Sequence, residues 1–212
     1  MRYADALSGT QLNILTGGWS RRVAEMADCH LICGVDEAGR GPLAGPVTAA
    51  AVILPCDVPR DILNDSKVLD SDQRTAAEAV IRTQAIGWSI GWATHEEIDA
   101  LNIHNATLLA MRRAILVLTV RPVMVLVDGL FCPVCGIPSC AIVKGDATVP
   151  QIMAASIIAK TARDRWMEEY SLIEPAYGFE RHKGYPTPEH RRAVLSVGPS
   201  RIQRMSFRIT AP

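Results

Sequence analysis

Several features that define other classes of protein are missing from this sequence of 212 residues. It has no apolar run of the ~18 residues that a membrane-spanning helix needs, so we expect no membrane association. Residues 1–28 mix charges among their apolar positions, which is not the pattern of a secretion signal. The formal net charge is zero, so the total charge gives no sign of a nucleic-acid partner. Internal repeats and low-complexity linkers are also missing.

The remaining composition is that of a soluble globular protein, with 49% hydrophobic and 21% charged residues. We expect one catalytic domain over residues 31–212 that ends in a basic helical segment (about 187–212), preceded by a partly helical N-terminal extension over 1–30. The cysteines lie at positions 29, 33, 56, 132, 135 and 140. Because no secretion signal is recognisable, we expect reduced thiols and a cytoplasmic location.

The most informative segment is residues 34–41, which read Gly-Val-Asp-Glu-Ala-Gly-Arg-Gly. An apolar strand over 31–35 leads into Asp36 and Glu37, and carboxylates at the end of a buried strand are costly unless a cation or proton neutralises them. The glycines on either side of Arg40 allow main-chain N–H groups to approach a ligand closely. A solvated acidic pair followed by an ordinary turn is the simpler alternative. A P-loop is disfavoured because no Gly-Lys-Ser/Thr follows.

Strands alternating with helices predict a mixed α/β sheet of five strands that starts with an antiparallel hairpin. The predicted strands cover residues 31–35, 47–54, 85–93, 123–127 and 141–143. In the third strand, Ile86, Trp88, Ile90 and Trp92 alternate and so share one face. Helices are predicted over 72–82 (capped by Ser71), in a short segment opened by a capping box at 94–97, over 103–120, from a capping box at 148–151 to about 170, and from Thr187.

Four carboxylates follow three of the predicted strands: Asp36, Glu37, Asp128 and Asp146. Sites in open α/β sheets lie outside strand ends, and crowded acids repel each other without cations. Ligands that are all oxygens favour Mg²⁺ or Mn²⁺, and two such ions can drive phosphodiester hydrolysis. Adjacent strand residues point to opposite faces, so Asp36 and Glu37 share one site only if the strand breaks between or just after them.

A basic segment ends the chain, with seven basic residues against Glu189 alone from Arg181 onward. A basic surface next to an acidic metal centre suits a phosphate backbone. The alternative is a solvated basic helix, which is the usual explanation of a charge run.

These motifs resemble the bacterial ribonuclease HII family over roughly Leu31 to Phe207. The matching segments are Gly34–Gly41, Asn64-Asp65-Ser66-Lys67, Val127-Asp128-Gly129, Lys144-Gly145-Asp146, Ala154–Lys160, Arg163-Asp164 and His182-Lys183-Gly184-Tyr185. The resemblance implies a ribonuclease-H-like fold and Mg²⁺- or Mn²⁺-dependent hydrolysis of RNA–DNA hybrids, without an organic cofactor. It also implies cleavage on the 5′ side of a ribonucleotide embedded in duplex DNA, leaving a 3′-hydroxyl and a 5′-phosphate.

The resemblance also implies roles for individual residues. Asp36, Glu37, Asp128 and Asp146 correspond to the metal-binding acids. The remaining positions correspond to substrate contacts: Gly39, Arg40 and Gly41 as the sensor of the ribose 2′-hydroxyl, Tyr185 at the RNA–DNA junction, Ser66 and Lys67 at the backbone, and Lys160 near a phosphate. The 2′-hydroxyl is what distinguishes RNA from DNA at one nucleotide.

Competing hypotheses are a catalytically silent binder of RNA–DNA hybrids and another divalent-metal nuclease of the same fold. The intact set of four acids argues against the silent binder. We expect a monomer acting on hybrids and on ribonucleotide-containing duplex DNA.

The sequence departs from the family pattern at two places. Gln203 stands where the family usually has a histidine, before Arg204, which puts a backbone or structural contact in question. Cys132, Cys135 and Cys140 follow Asp128 with a spacing that the family does not explain. A zinc site would need a fourth ligand, so unliganded loop thiols are the simpler interpretation.

Overall fold

A computed structural model describes residues 31–55 and 70–209 of the chain. The strands in this part are β1 (Ile32–Ala38), β2 (Val47–Ile53), β3 (Gly87–Ala93), β4 (Met124–Asp128) and β5 (Ser139–Ile142). The helices are α1 (Ser71–Gln84), α2 (His95–Leu116), α3 (Pro150–Ser171), α4 (Phe179–His182) and α5 (Pro188–Val197), and 3₁₀ turns occupy Gly145–Ala147 and Pro175–Tyr177. The extension predicted over 1–30 lies outside the described residues.

The strands form one five-stranded sheet in the order β3-β2-β1-β4-β5. β1 pairs antiparallel with β2, and β2 pairs antiparallel with β3. β4 runs parallel to β1, and β5 runs parallel to β4. The prediction of a mixed five-stranded sheet with an antiparallel start is therefore confirmed. In the described residues, no helix is long and apolar enough to cross a bilayer.

The central strand β1 extends further than its apolar residues predicted. It continues through both acids to Ala38, because β2 supplies hydrogen-bonding partners up to the pair Ala38–Thr48. The strand therefore does not break between Asp36 and Glu37, and it ends at Ala38, directly before Gly39 with its positive φ of 95°.

Two helix starts were predicted correctly and two were wrong. Thr94 caps α2, forming a capping box with Glu97, and the Thr187 side chain accepts a hydrogen bond from the amide of His190 at the start of α5.

At α1 the cap is Asp70, one residue before the predicted Ser71, and Asp70 forms its capping box with Gln73. At α3 the cap is Val149, which has no side chain able to cap, so the capping box predicted for 148–151 is not formed.

Helix α2 has a kink at Asn102, where the backbone adopts a positive φ of 67°. The Asn102 side chain accepts a hydrogen bond from the amide of Asn105 and so starts the second half of the helix. The two helices predicted for this region are therefore two arms of one kinked element. The second arm ends at Leu116, before the predicted end at 120.

Helices cover both faces of the sheet at close range. A Cβ added to Gly91 of β3 would lie 2.1 Å from the Ala110 carbonyl oxygen of α2. A Cβ added to Gly34 of β1 would lie 2.1 Å from the main chain of Gln151 in α3. Glycine at these points lets the helix backbones pack directly on the strands. The close packing at Gly34 brings the start of α3 over the acidic end of β1.

The alternation predicted for β3 is present. Gly87, Ser89, Gly91 and Ala93 form the buried face against α2. Trp88, Ile90 and Trp92 share the other face and are only half-buried, and the Arg82 guanidinium lies 4.1 Å from the Trp88 ring centroid. The small residues rather than the large ones therefore permit the helix to dock.

The C-terminal segment after α5 is not helical, unlike the helical segment predicted over about 187–212. The helix ends at Val197, and the described residues after it form turns that return to the loop following β1. The Gly45 amide donates to the Ile202 carbonyl, and the Arg204 amide donates to the Leu43 carbonyl. The end of the described chain thus supports that loop.

Candidate active site

Asp36 and Asp128 lie side by side on neighbouring parallel strands. The register pairs Val35 of β1 with Val127 of β4, so the next residue on each strand is an aspartate. Parallel strands place their carboxyl ends at one edge of the sheet, where open α/β proteins put their sites. The prediction that strand ends gather these two acids is thus consistent with the sheet register.

Asp36 is buried, with 5% relative exposure. Its carboxylate accepts hydrogen bonds from the Glu37 amide at 2.7 Å and from the Ser156 hydroxyl of α3. Burial raises the pKa of Asp36 well above its ordinary range, and the charges of Glu37 and Asp128 raise it further. Ser156 was not among the predicted site residues, because the sequence does not show which group a serine side chain within a helix will contact.

Glu37 is half-buried, and its carboxylate faces a cation from the adjoining loop. The Arg40 guanidinium lies 3.3 Å from Glu37 Oε1. Burial raises the pKa of Glu37. The positive charge of Arg40 opposes this rise, and the charge of Asp128 adds to it. Although β1 is continuous, the charges of Asp36, Glu37 and Asp128 are close enough to act on one another.

Asp146 reaches the same region through the 3₁₀ turn that follows β5. Its amide donates to Asp128 Oδ1 at 3.3 Å, and its side chain is buried. A Cβ added to Gly145 would lie 3.5 Å from Asp128 Oδ1, so this turn lies against the end of β4. The Asp146 backbone therefore contacts the Asp128 carboxylate directly.

Within the described residues, no three carboxylate, imidazole or thiol side chains form a ready-made metal site. The chemistry of the acidic cluster nevertheless fits a hard divalent cation. Its acids offer only oxygen ligands, and burial raises the pKa of Asp36 and of Glu37, so a bound cation would favour their ionised forms. A divalent ion would neutralise these buried charges and relieve the repulsion between them.

The glycine loop (residues 39–46) begins directly after the acids. Gly39 has a positive φ of 95° and is buried, while Arg40 and Gly41 are exposed. A Cβ added to Gly41 would lie 3.8 Å from Tyr185 Cε1. The Lys160 ammonium of α3 lies 5.5 Å from the Tyr185 ring centroid. The structure therefore brings the loop, Tyr185 and Lys160 together beside the acids.

Lys160 and the other predicted substrate residues differ in how far the structure describes them. The Lys160 ammonium forms an ion pair with Asp164 at 2.8 Å, so its charge is partly compensated. Tyr185 is 39% exposed and available to a ligand. Ser66 and Lys67 lie outside the described residues.

The basic C-terminal segment is less uniformly exposed than its sequence predicted. Arg204 is fully buried, so it cannot contact a nucleic acid. Arg181 pairs with Glu180 and Glu189, and Lys183 pairs with Glu168 at 2.8 Å. The exposed arginines of this segment include Arg192, Arg201 and Arg208.

The two departures from the family pattern have simple structural outcomes. The Gln203 side chain donates from Nε2 to the Leu43 carbonyl at 2.9 Å, so it contacts the backbone of the glycine loop. The described cysteines, Cys33, Cys132, Cys135 and Cys140, are free thiols. Burial raises the pKa of Cys132 to about 11, and these thiols are not arranged to hold a metal. The zinc alternative therefore finds no support in the described residues.

Known proteins resemble this chain over most of its length. A family model described as Ribonuclease HII matches residues 33–210. The Ribonuclease HII of Dechloromonas aromatica (strain RCB) is 52% identical over 177 residues, covering 84% of this chain and 90% of that protein.

Solved structures show the same fold. The ribonuclease H2 of Pyrococcus horikoshii OT3 is similar with a TM-score of 0.71 and 26% identity, over 84% of this chain and 94% of that chain. At 18% identity and a TM-score of 0.54, Bst-RNase HIII in complex with Mn²⁺ shares the fold over 79% of this chain and 70% of that chain. The family match and the sequence identity confirm the resemblance noted from the motifs: the chain belongs to the ribonuclease HII family.

Proposed function

We propose that this ribonuclease HII enzyme hydrolyses the RNA strand of RNA–DNA hybrids and cuts on the 5′ side of ribonucleotides embedded in duplex DNA. The products would be a 3′-hydroxyl and a 5′-phosphate. The observation that carries the proposal is the placement of Asp36, Glu37 and Asp128 beside Tyr185 and a glycine loop in which Arg40 and Gly41 are exposed. The three acids would hold the reacting phosphate through cations, and the glycine loop with Tyr185 would recognise the ribose.

Asp36, Glu37, Asp128 and Asp146 would hold the divalent ions, Mg²⁺ or Mn²⁺. When bound, two such ions activate water and stabilise the leaving 3′-oxygen. The Mn²⁺ complex of the more distant Bst-RNase HIII supports divalent-metal use within this fold. The protein contributes position: Ser156 and the Glu37 amide fix the Asp36 carboxylate, and the Asp146 amide fixes that of Asp128.

The exposed main chain of Arg40 and Gly41 would donate to the ribose 2′-hydroxyl and the adjoining phosphate. The exposed ring of Tyr185, in contact range of Gly41, would pack on the sugar at the RNA–DNA junction. Lys160, near the same ring, would assist a phosphate contact. Only the ribonucleotide offers a 2′-hydroxyl, so this arrangement would distinguish it from the surrounding DNA.

The exposed arginines of the C-terminal segment would add affinity for the duplex without sequence preference, because phosphate contacts are electrostatic. We propose that the enzyme acts as a monomer in the cytoplasm, where a reducing environment would keep thiols such as the free Cys132, Cys135 and Cys140 reduced.

The test is cleavage of a DNA duplex that contains one ribonucleotide. With Mg²⁺ the wild-type enzyme should cut once, 5′ of the ribonucleotide, and the 3′ end should be extendable by a polymerase. Chelator should stop the reaction, and an all-DNA duplex of the same sequence should stay intact. The variant Asp128→Asn controls for a contaminating nuclease. Undiminished cleavage in chelator, or by this variant, would exclude the metal-dependent mechanism at these acids. Binding of the hybrid without any cleavage would favour the silent binder instead.

A further inference from the structure

Two arginines that the proposed mechanism does not use are buried next to the glycine loop. Arg163 lies on α3 and Arg204 on the C-terminal segment, and neither side chain has measurable exposure. Neither guanidinium forms a salt bridge with a carboxylate in the described part of the chain. Charged groups are almost never buried without a compensating role, so their partners are informative.

The Arg204 guanidinium donates all its hydrogen bonds to main-chain oxygens of the loop. Nη2 donates to the carbonyl of Gly39 at 2.6 Å, and Nη1 donates to that of Arg40 at 3.1 Å. The same guanidinium also binds the carbonyls of Pro42, Gly45 and Pro46. The rigid planar fork of an arginine suits such convergent acceptors, and a lysine cannot reproduce it.

Arg163 completes this support from the other side and connects the loop to the turn before Tyr185. Its guanidinium donates to the carbonyls of Ala44 at 3.1 Å and Pro46 at 2.9 Å. Nη1 donates to the Lys183 carbonyl at 2.9 Å. A Cβ added to Gly39 would lie 2.0 Å from Arg163 Nε, so the loop rests directly on this side chain.

The direction of these carbonyls determines where the amide groups point. The described peptide bonds are all trans, and in a trans peptide the C=O of one residue and the N–H of the next point in opposite directions. Because the Gly39 carbonyl faces Arg204, the Arg40 N–H faces away from it. The Arg40 carbonyl likewise faces Arg204, so the Gly41 N–H also faces away. Both residues are exposed, and Gly41 borders Tyr185.

We propose that Arg204, assisted by Arg163, is a positioning residue for ribose recognition: it draws the loop carbonyls inward so that the N–H groups of Arg40 and Gly41 are presented to the 2′-hydroxyl and the phosphate. The inference rests on the proposed function of the glycine loop. Burial of the two cations close together carries a cost, since desolvation lowers the pKa of Arg163 to about 10 and that of Arg204, with repulsion from Arg163, to about 9. A preorganised set of donors is worth such a cost because it needs no rearrangement when the substrate binds.

The experiment combines one change in the substrate with one change in the enzyme and compares the four resulting activities. Cleavage (kcat/KM) is measured on a duplex with one ribonucleotide and on the same duplex with 2′-deoxy-2′-fluoro at that position, for wild type and Arg204→Lys. Covalently bound fluorine accepts a hydrogen bond much more weakly than a hydroxyl oxygen does, so wild type should lose activity on the fluoro substrate. In Arg204→Lys the activity on the ribonucleotide should fall by ~10-fold or more, because the donors are no longer aligned. For the same reason the fluoro penalty, which is the ratio of kcat/KM on the ribonucleotide substrate to kcat/KM on the fluoro substrate, should shrink.

The control variant is Glu174→Gln. Glu174 anchors the same C-terminal segment, accepting hydrogen bonds from the Ser200 hydroxyl at 2.6 Å and the Arg201 amide at 3.2 Å, but touches no carbonyl of the loop. It should lower the Tm while leaving the fluoro penalty at the wild-type value.

A fluoro penalty in Arg204→Lys equal to that of wild type would overturn the proposal, as would a reduced penalty in Glu174→Gln. If Arg204→Lys is unfolded at the assay temperature, Arg163→Lys replaces it with the same expectations. A wild-type enzyme without a fluoro penalty would instead contradict the proposed function of the loop, so the two failures are distinguishable.

Discussion

Replacement of Gly184 by alanine tests the connection between the glycine loop and Tyr185 most directly. Gly184 has a positive φ of 83°, and a Cβ added there would lie 2.6 Å from the Ala44 carbonyl oxygen. That oxygen is held by Arg163 Nη2 at 3.1 Å, and the Gly184 carbonyl accepts the Leu43 amide at 2.8 Å. The neighbour that alanine meets is therefore backbone fixed from both sides, and it cannot swing away as a side chain would.

The expected magnitude has two parts. A non-glycine residue in the left-handed region costs ~1–2 kcal/mol, and forcing a methyl group into a packed site costs ~1–3 kcal/mol. We therefore expect Gly184→Ala to reduce the free energy of unfolding by ~2–5 kcal/mol. For a domain of this size each kcal/mol changes Tm by ~2–4 °C, so Tm should fall by ~4–20 °C.

The assay is calorimetric melting, with Gly136→Ala as the matched control. Gly136 also has a positive φ, 72°, but a Cβ there would meet nothing within 4 Å. It should therefore show only the backbone cost, a fall in Tm of ~2–8 °C. At a temperature where both variants are folded, Gly184→Ala should also cleave an embedded ribonucleotide more slowly, since Tyr185 is the next residue. Equal Tm values for the two variants would refute the reasoning that the Ala44 carbonyl is immovable.

Other predictions address the acids, the tyrosine and the exposed arginines. Asp36→Asn and Asp128→Asn should each lose at least ~100-fold in cleavage rate, while the metal-free variants melt above wild type because the repulsion is relieved; full activity in either variant would contradict this. Since the folded-state pKa of Asp36 is raised, ionisation of this carboxyl above its unfolded value of ~3.9 destabilises the metal-free protein, so the Tm advantage of Asp36→Asn should grow as pH rises from ~4 to ~7. An advantage independent of pH would argue against a buried, repelled carboxyl. Tyr185→Ala should keep a near-normal Tm but slow cleavage at a single embedded ribonucleotide more than within a long RNA–DNA hybrid, where many registers are available; equal losses with a lowered Tm would indicate packing instead. Replacing Arg192 and Arg201 together by alanine should flatten the salt dependence of duplex binding by about one unit of slope for each phosphate that is no longer neutralised, and an unchanged slope would mark them as solvated side chains.

The sheet could be predicted from sequence because its strands are short apolar runs with clear breaks. The errors arose where the end of a strand or helix is decided by residues outside its own apolar run. β1 continues through Asp36 and Glu37 because its partner strand offers hydrogen bonds there, which apolar content does not report. The start of α3 was misplaced because Thr148 satisfies the capping pattern, whereas in the structure its hydroxyl donates to the Lys144 carbonyl within the preceding turn.

The sequence could indicate the acids of the candidate site because each of them follows a predicted strand. The register confirms that Asp36 and Asp128 are neighbours, but it could not have been derived from either strand alone. Arg204 was grouped with the exposed basic residues, because a charge run gives no information on which member turns inward. Its partners Gly39 to Pro46 are far away in sequence, so only the fold shows that it belongs to the substrate loop.

The two halves of the site rest on different kinds of support, and this has a consequence for mutation. Asp36 and Asp128 stand on the central parallel strands, whose ladder fixes them independently of the loop. The Arg40 and Gly41 amides stand on a loop whose carbonyls are held by side chains from α3 and the C-terminal segment. Changes at Arg204 should therefore alter the choice between ribose and deoxyribose while the protein still binds divalent ions. Changes at Asp36 should remove ion binding while leaving the loop and its preference for ribose in the bound duplex intact.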